Sequence, residues 1–235
     1  MFIRKTRSVT SNGQEDGIAM PNVHRRTFLK YAGMGSAILA TGSVLSSCSK
    51  DDTDDQGVNL GTGDIAVLNY AYALEQLEAA FYTQVVKTPY TGISDAEMTI
   101  MTDIRNHEVA HRDFFKAALM TSAIPALEVN FSMIDFSKRS DVLTIAQAFE
   151  DLGVSAYNGA GQFISKVEYL GLAGKIVSVE ARHAAVIRDL ISNGSFAASD
   201  VVDVKGLDKA TSPLQVYGVA KTFIKTPINP NTLPH

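Results

Sequence analysis

The chain has 235 residues, of which 46% are hydrophobic and 20% charged, values that suit a globular protein with a substantial core. Residues 48–235 carry 23 Asp and Glu against 15 Lys and Arg. Because no basic stripe or basic–aromatic patch interrupts this acidic background, the composition argues against nucleic acid as a partner.

The first 47 residues have the pattern of an export signal. Arg25 and Arg26 precede a short apolar run rich in Gly, Ala and Ser, and this arrangement resembles a twin-arginine signal. The run is too short for a membrane-spanning helix. It ends in "LSSC", which resembles a lipoprotein cleavage box at Cys48, the one cysteine of the chain. We expect an exported protein of the cell envelope, anchored to a membrane by lipid on Cys48; the alternative is a plain signal peptide containing a stray thiol.

Residues 48–63 are acidic, contain glycine and lack periodicity, so they predict a flexible tether. Residues 64–193 show apolar residues at helical spacing and predict four helices. Residues 194–235 form a C-terminal extension, in which Ser212 and Pro213 can open a short helix. Its last eleven residues contain three prolines and predict an extended tail.

The first helix is predicted over residues 64–86 and the second from residue 94 to about 120. The third is predicted to begin near residue 141, and the fourth to cover roughly residues 173–192. Ser94 and Glu97 predict a capping box at the start of the second helix. Between the second and third helices lies a non-periodic segment of about 20 residues that contains Pro125, long enough to cross the length of a bundle. The expected fold class is all-α, a four-helix bundle with a long crossover between helices 2 and 3.

The two halves of this region repeat the same chemistry. In each half, a glutamate is followed seven residues later by a tyrosine, and 33 or 30 residues later by a Glu-x-x-His string. The residues are Glu75, Tyr82, Glu108 and His111 in the first half, and Glu150, Tyr157, Glu180 and His183 in the second.

The spacing of these residues predicts a site for two metal ions. A glutamate and a histidine three positions apart share one helix face and can point at one ion. Four buried carboxylates without cations would be very costly, whereas two divalent ions cancel their charge. Carboxylate and imidazole ligands favour two Fe ions or two Mn ions. Tyr82 and Tyr157 lie two turns from their own glutamates, so we expect them to approach the site only at a distance, as hydrogen-bond donors or redox-active phenols.

The phrases "ALEQLEAAFYTQ", "HEVAHRDFF", "AFEDLGVSAYNGAG" and "IVSVEARHAAVIRDLI" resemble ferritin-like four-helix-bundle proteins that bind two metal ions through carboxylates. The resemblance is to the exported bacterial subgroup related to desiccation-associated proteins. It implies terminal ligands at Glu75 and Glu150, bridging ligands at Glu108 and Glu180, and capping ligands at His111 and His183. Where ferritins often have an acidic residue before the Glu-x-x-His glutamate, this chain has His107 and Val179, so the surroundings of the ligands differ.

Two residues leave alternatives open. His107 completes the string His-Glu-x-x-His with Glu108 and His111, the signature of zinc proteases, but no third ligand follows and the second half does not repeat the first histidine. His107 is then either a histidine beside the site, hydrogen-bonded to a neighbour, or a group that supports a ligand or relays protons. Glu78, three residues after Glu75, could replace it as ligand, but the shared Glu-to-Tyr interval favours Glu75.

The function expected is a metal-dependent oxidoreductase that acts on O₂, peroxide or Fe²⁺, with stress protection as its role. The alternative is a non-catalytic protein of the cell envelope whose metal is structural or absent. A lipid anchor and a long C-terminal extension argue against a ferritin-type storage cage.

Overall fold

A computed structural model describes residues 57–235 of the chain. The export signal, Cys48 and most of the predicted tether lie outside these residues. Among residues 57–235, no helix is long and apolar enough to cross a membrane.

Residues 57–235 contain four long α-helices and one short α-helix, besides three single-turn 3-10 helices. The α-helices are α1 (Gly63–Lys87), α2 (Asp95–Leu119), α3 (Arg139–Ala160), α4 (Val167–Ile191) and α5 (Pro213–Ala220). Residues 57–235 contain no β-strand, only isolated bridges. The all-α fold class is therefore confirmed.

The fourth helix begins six residues before the position that the sequence predicts. Two glycines, Gly171 and Gly174, lower the helix propensity of its first turns. Tyr169 is nevertheless buried against the bundle, and the Lys166 ammonium lies 5.0 Å from the centre of the Tyr169 ring. Burial of this side chain extends the helix back to Val167.

α1 is buried on most of its surface. Seventeen of its 25 residues are buried, including small and aromatic residues on every face. A helix that is apolar all round needs partners all round. Here α2, α3 and the crossover all pack against it.

The crossover between α2 and α3 follows α1 along its length. The backbone N–H of Ile124 donates to Asn69 Oδ1 at 2.9 Å, and that of Leu127 donates to Gln76 Oε1 at 2.8 Å. Beyond the end of α1, the N–H of Thr91 donates to the carbonyl of Ser137 at 3.0 Å. This path places the starts of α2 and α3 at the same end of the bundle, so α1 and α3 run antiparallel.

The capping residues predicted at α2 also bind neighbouring elements. Ser94 accepts a hydrogen bond from the N–H of Glu97 at 3.2 Å, as expected. The Glu97 carboxylate also accepts from the Arg139 guanidinium and from the Tyr90 hydroxyl. Arg139 donates to the carbonyl of Leu190 as well. Arg139 therefore links the starts of α2 and α3 to the end of α4.

The C-terminal extension closes over the bundle. Phe223 packs edge-on against Phe149, with ring centres 4.9 Å apart. The backbone of Val58 pairs in parallel with that of Ile228. Leu60 and Leu233 are both buried. The end of the predicted tether and the predicted tail are thus packed segments, because each supplies apolar side chains that complete the core.

Candidate metal centre

The six residues predicted as ligands meet in the interior of the bundle. α1 and α3 each provide one carboxylate, whereas α2 and α4 each provide a carboxylate and an imidazole one turn apart. The six are Glu75, Glu108, His111, Glu150, Glu180 and His183. All four carboxylates are fully buried, and the two histidine side chains are 13% (His111) and 5% (His183) exposed.

These residues form two groups that could each hold a metal ion. We call them the His111 position and the His183 position, after their histidines. The His111 position consists of Glu75, Glu108, His111 and Glu180, and the His183 position of Glu108, Glu150, Glu180 and His183. Within each group, the candidate ligand atoms all lie within 4.8 Å of one another.

Glu108 and Glu180 belong to both positions because each sends one oxygen to each histidine. Glu108 Oε1 lies 2.7 Å from His183 Nδ1, and Glu108 Oε2 lies 3.6 Å from His111 Nδ1. Glu180 Oε1 lies 2.9 Å from His111 Nδ1, and Glu180 Oε2 lies 3.7 Å from His183 Nδ1. Glu75 and Glu150 each belong to one position only.

Most of the polar atoms of the centre have only one another as close neighbours. Apart from these contacts between imidazole and carboxylate, both Nδ1 atoms and every carboxylate oxygen of the six residues except Glu75 Oε1 are buried without an assigned hydrogen bond among residues 57–235. Buried polar groups without partners are rare in native proteins. These atoms are grouped around the two positions, as the ligands of a metal ion must be. Carboxylate and imidazole ligands suit Fe and Mn. The residues present therefore fit a metal centre.

Burial and mutual charge shift the pKa values of these groups strongly. Burial raises the pKa of Glu75 well above its ordinary range and that of Glu150 to about 8. Burial alone would lower the pKa of both histidines, but the surrounding carboxylates overcome it and raise each to about 12. Burial would also raise the pKa of Glu108, but the two histidines lower it to about 2. The metal-free centre thus keeps protons that cations must displace.

A model of the ferritin-like domain matches residues 63–193, more than half of the chain. The chain belongs to the ferritin-like family. The match begins with the first residue of α1 and ends just after α4, so it covers the bundle and both metal positions. A search of curated proteins finds no match to the chain.

The tyrosines of this ferritin-like bundle meet the glutamates of the opposite half. The Tyr157 hydroxyl on α3 donates a hydrogen bond to Glu75 Oε1 on α1. Tyr82 on α1 is fully buried, and burial together with the nearby Glu150 charge raises its pKa well above the ordinary value. Tyr157 is therefore a hydrogen-bond donor, one of the two roles expected of it, but it contacts a candidate ligand directly and that ligand belongs to the other half. Antiparallel packing of α1 and α3 carries each tyrosine toward the partner helix's glutamate.

His107 belongs to neither position of the ferritin-like centre. Its Nδ1 lies 2.9 Å from Nε2 of His183, and the two rings meet edge to edge, with centres 5.2 Å apart and an angle of 8° between their planes. The zinc-protease interpretation is therefore wrong. His111 Nδ1 faces the carboxylates, whereas His107 contacts His183 at Nε2, the nitrogen that points away from them. His107 lies beside the site, hydrogen-bonded to a neighbour.

Glu78 is a further buried carboxylate that the sequence interpretation considered only as a replacement for Glu75. It is buried but lies in neither metal position, so the geometry favours Glu75. Glu78 Oε1 lies 3.0 Å from the point that a Cβ on Gly153 would occupy, and Glu180 Oε2 lies 3.7 Å from the same point. In the repeat, Gly153 occupies the position equivalent to Glu78, three residues after the terminal glutamate of its half. An alignment of the two halves would therefore have drawn attention to Glu78 and Gly153 together.

Proposed function

We propose that this ferritin-like protein is an oxidoreductase that binds two Fe ions, or two Mn ions, and acts on O₂, peroxide or Fe²⁺. The observation that carries the proposal is the pair of adjoining positions that share Glu108 and Glu180. Ions held this close can exchange electrons with one small molecule, and Fe or Mn supplies the redox chemistry that amino-acid side chains lack.

The chain's own residues would hold and shield the ions. His111 and His183 each supply one nitrogen, and four carboxylates supply the negative charge that balances two divalent cations. The Tyr157 hydroxyl holds one oxygen of Glu75 in place. Full burial of the carboxylates keeps bulk water away, which strengthens every electrostatic interaction of the centre.

Metal analysis of the purified protein tests the proposal. We expect close to two ions per chain at saturating metal, together with loss of peroxide or oxidation of Fe²⁺ in solution. A folded protein that binds no metal would overturn the proposal. A protein that binds two ions but shows neither reaction would be the non-catalytic alternative, in which the metal is structural.

Three variants of the same region test the ligand assignment. Glu108→Gln removes a carboxylate shared by both positions, and His183→Ala removes one imidazole, so each should lower the metal content. His107→Ala should leave close to two ions per chain at saturating metal, because His107 is not a ligand. A zinc protease would give the reverse pattern for His107 and His183.

Export and anchoring belong to the same proposal. The arginine pair and the "LSSC" string support a folded, metal-loaded protein that leaves the cytoplasm and stays bound to a membrane, where it removes oxidants or Fe²⁺ under stress. Arg25→Lys with Arg26→Lys should stop export. Cys48→Ala should release the protein from the membrane fraction. Membrane association that survives Cys48→Ala would contradict the lipid anchor.

A further inference from the structure

We propose that the two metal positions are unequal and fill in order, the His183 position first and the His111 position second. His107 is the positioning residue that contributes most to the difference. This inference rests on the proposed metal binding and adds the order of binding and the residues that determine it. The position filled second is then the one at which a cation exchanges with solvent.

The first difference is the support behind each histidine. When His183 binds a cation through Nδ1, its proton resides on Nε2, and that N–H can donate to His107 Nδ1 at 2.9 Å. The two rings lie nearly in one plane, so this N–H points directly at the His107 nitrogen. At the equivalent place in the repeat, Val179 precedes Glu180 and offers no acceptor to His111. A partner of this kind is typically worth about 10–100-fold in metal affinity.

The second difference is burial. All four residues of the His183 position are buried, whereas in the His111 position the histidine is partly exposed. The His111 side chain is 13% exposed and the His183 side chain 5%. A cation at the His111 position is therefore closer to solvent and exchanges more readily.

Titration of the metal-free full chain with Co²⁺ tests the inference, since calorimetry gives each affinity and the visible spectrum of Co²⁺ gives its coordination. We expect two steps whose dissociation constants differ by at least about 10-fold. Glu150→Gln should abolish the tight step, whereas Glu75→Gln should spare it and weaken the second. The opposite pattern, or two equal steps in the wild type, would overturn the proposed order.

Variants at position 107 and at its repeat equivalent test the positioning role. His107→Ala should weaken the first step by about 10–100-fold and leave the second unchanged, whereas His107→Gln, whose amide oxygen can accept from Nε2–H, should retain most of the affinity. Val179→His should tighten the second step. Asn106→Ala, at the exposed neighbouring residue, is the matched control and should change neither step.

The outcomes separate this inference from the proposed function. If wild-type protein binds no Co²⁺, Mn²⁺ or Fe²⁺ at all, the proposed function fails and the order of binding fails with it. If two ions bind but His107→Ala weakens both steps equally, the proposed function stands and the positioning role of His107 is wrong. His107 is exposed, so His107→Ala should keep the wild-type helical content, which circular dichroism checks.

Discussion

A buried ionised carboxylate costs several kcal/mol unless it is paired, protonated or bound to a cation. Five glutamates are buried in this bundle, and four of them have a histidine partner in a metal position. Glu78 has none. Burial, followed by the charge of Glu180, raises the pKa of Glu78 well above its ordinary value, which favours the protonated carboxyl. The absent side chain of Gly153 leaves the space that this carboxyl fills.

Glu78 and Gly153 should therefore be coupled in stability. Gly153→Ala places a methyl group 3.0 Å from Glu78 Oε1 and 3.7 Å from Glu180 Oε2, so we expect a loss of about 1 kcal/mol from overpacking. In a Glu78→Ala background the same change should instead stabilise by about 0.5–1 kcal/mol, because alanine is the better helix former. Urea unfolding of the double-mutant cycle measures both values.

The matched control for this cycle is Gly174→Ala on α4. A Cβ at Gly174 meets no atom within 4 Å, so the change should stabilise the protein equally with and without Glu78. Equal effects of Gly153→Ala in the two backgrounds would contradict the coupling.

At the level of residues, the ligand set could be predicted because Glu-x-x-His is a local pattern. Positions three apart on one helix share a face whatever the helix packs against. The choice between Glu75 and Glu78 needed the repeat, and the environment of Glu78 needed the structure. Nothing in the local sequence shows that Gly153 on another helix opens space for that carboxyl.

At the level of elements, the relative direction of the helices determines which residues meet. The long crossover makes α1 and α3 antiparallel, and for that reason Tyr157 reaches Glu75 instead of Glu150. The sequence predicted the crossover from its length and lack of periodicity. It did not predict the contact across the bundle, because spacing along a helix describes one helix only. The early start of α4 was missed for the same reason: the burial of Tyr169 depends on its neighbours.

The C-terminal extension makes a close approach to α3 that one substitution should disturb. A Cβ at Gly159 would lie 1.9 Å from the carbonyl oxygen of Thr211, which is backbone and can yield only if the chain moves. Gly159→Ala should cost about 1–3 kcal/mol and break the hydrogen bond from the N–H of Thr211 to the carbonyl of Ser155. Hydrogen exchange of the Thr211 amide should accelerate. Gly171→Ala, in open space, is the control, and unchanged exchange in Gly159→Ala would contradict the prediction.

At the level of the whole molecule, protons and cations compete for the same centre. Without metal, the raised pKa values of His111, His183 and Glu150 mean that the folded state holds protons that the unfolded state releases. Such groups contribute stability that is fully present below their unfolded pKa values and is lost as pH rises toward their folded values. Glu108 has a lowered pKa and acts in the opposite direction, but only in acid, between about 2 and its ordinary value of 4.5.

The metal-free and metal-loaded proteins should therefore respond to pH in opposite directions. From pH 5 to 8, the metal-free protein should lose stability, because Glu150 titrates toward about 8 and the histidines toward about 12. With Mn²⁺ in excess, stability should rise over the same range, because protons compete less for the ligands. Each ion should add about 2.7 kcal/mol when free metal is 100 times the Kd of its own position. Unfolding at each pH, with a chelator or with Mn²⁺, measures both slopes. If stability has the same pH dependence with chelator and with Mn²⁺, cations do not replace these protons. His183→Ala should remove most of the stabilisation by Mn²⁺.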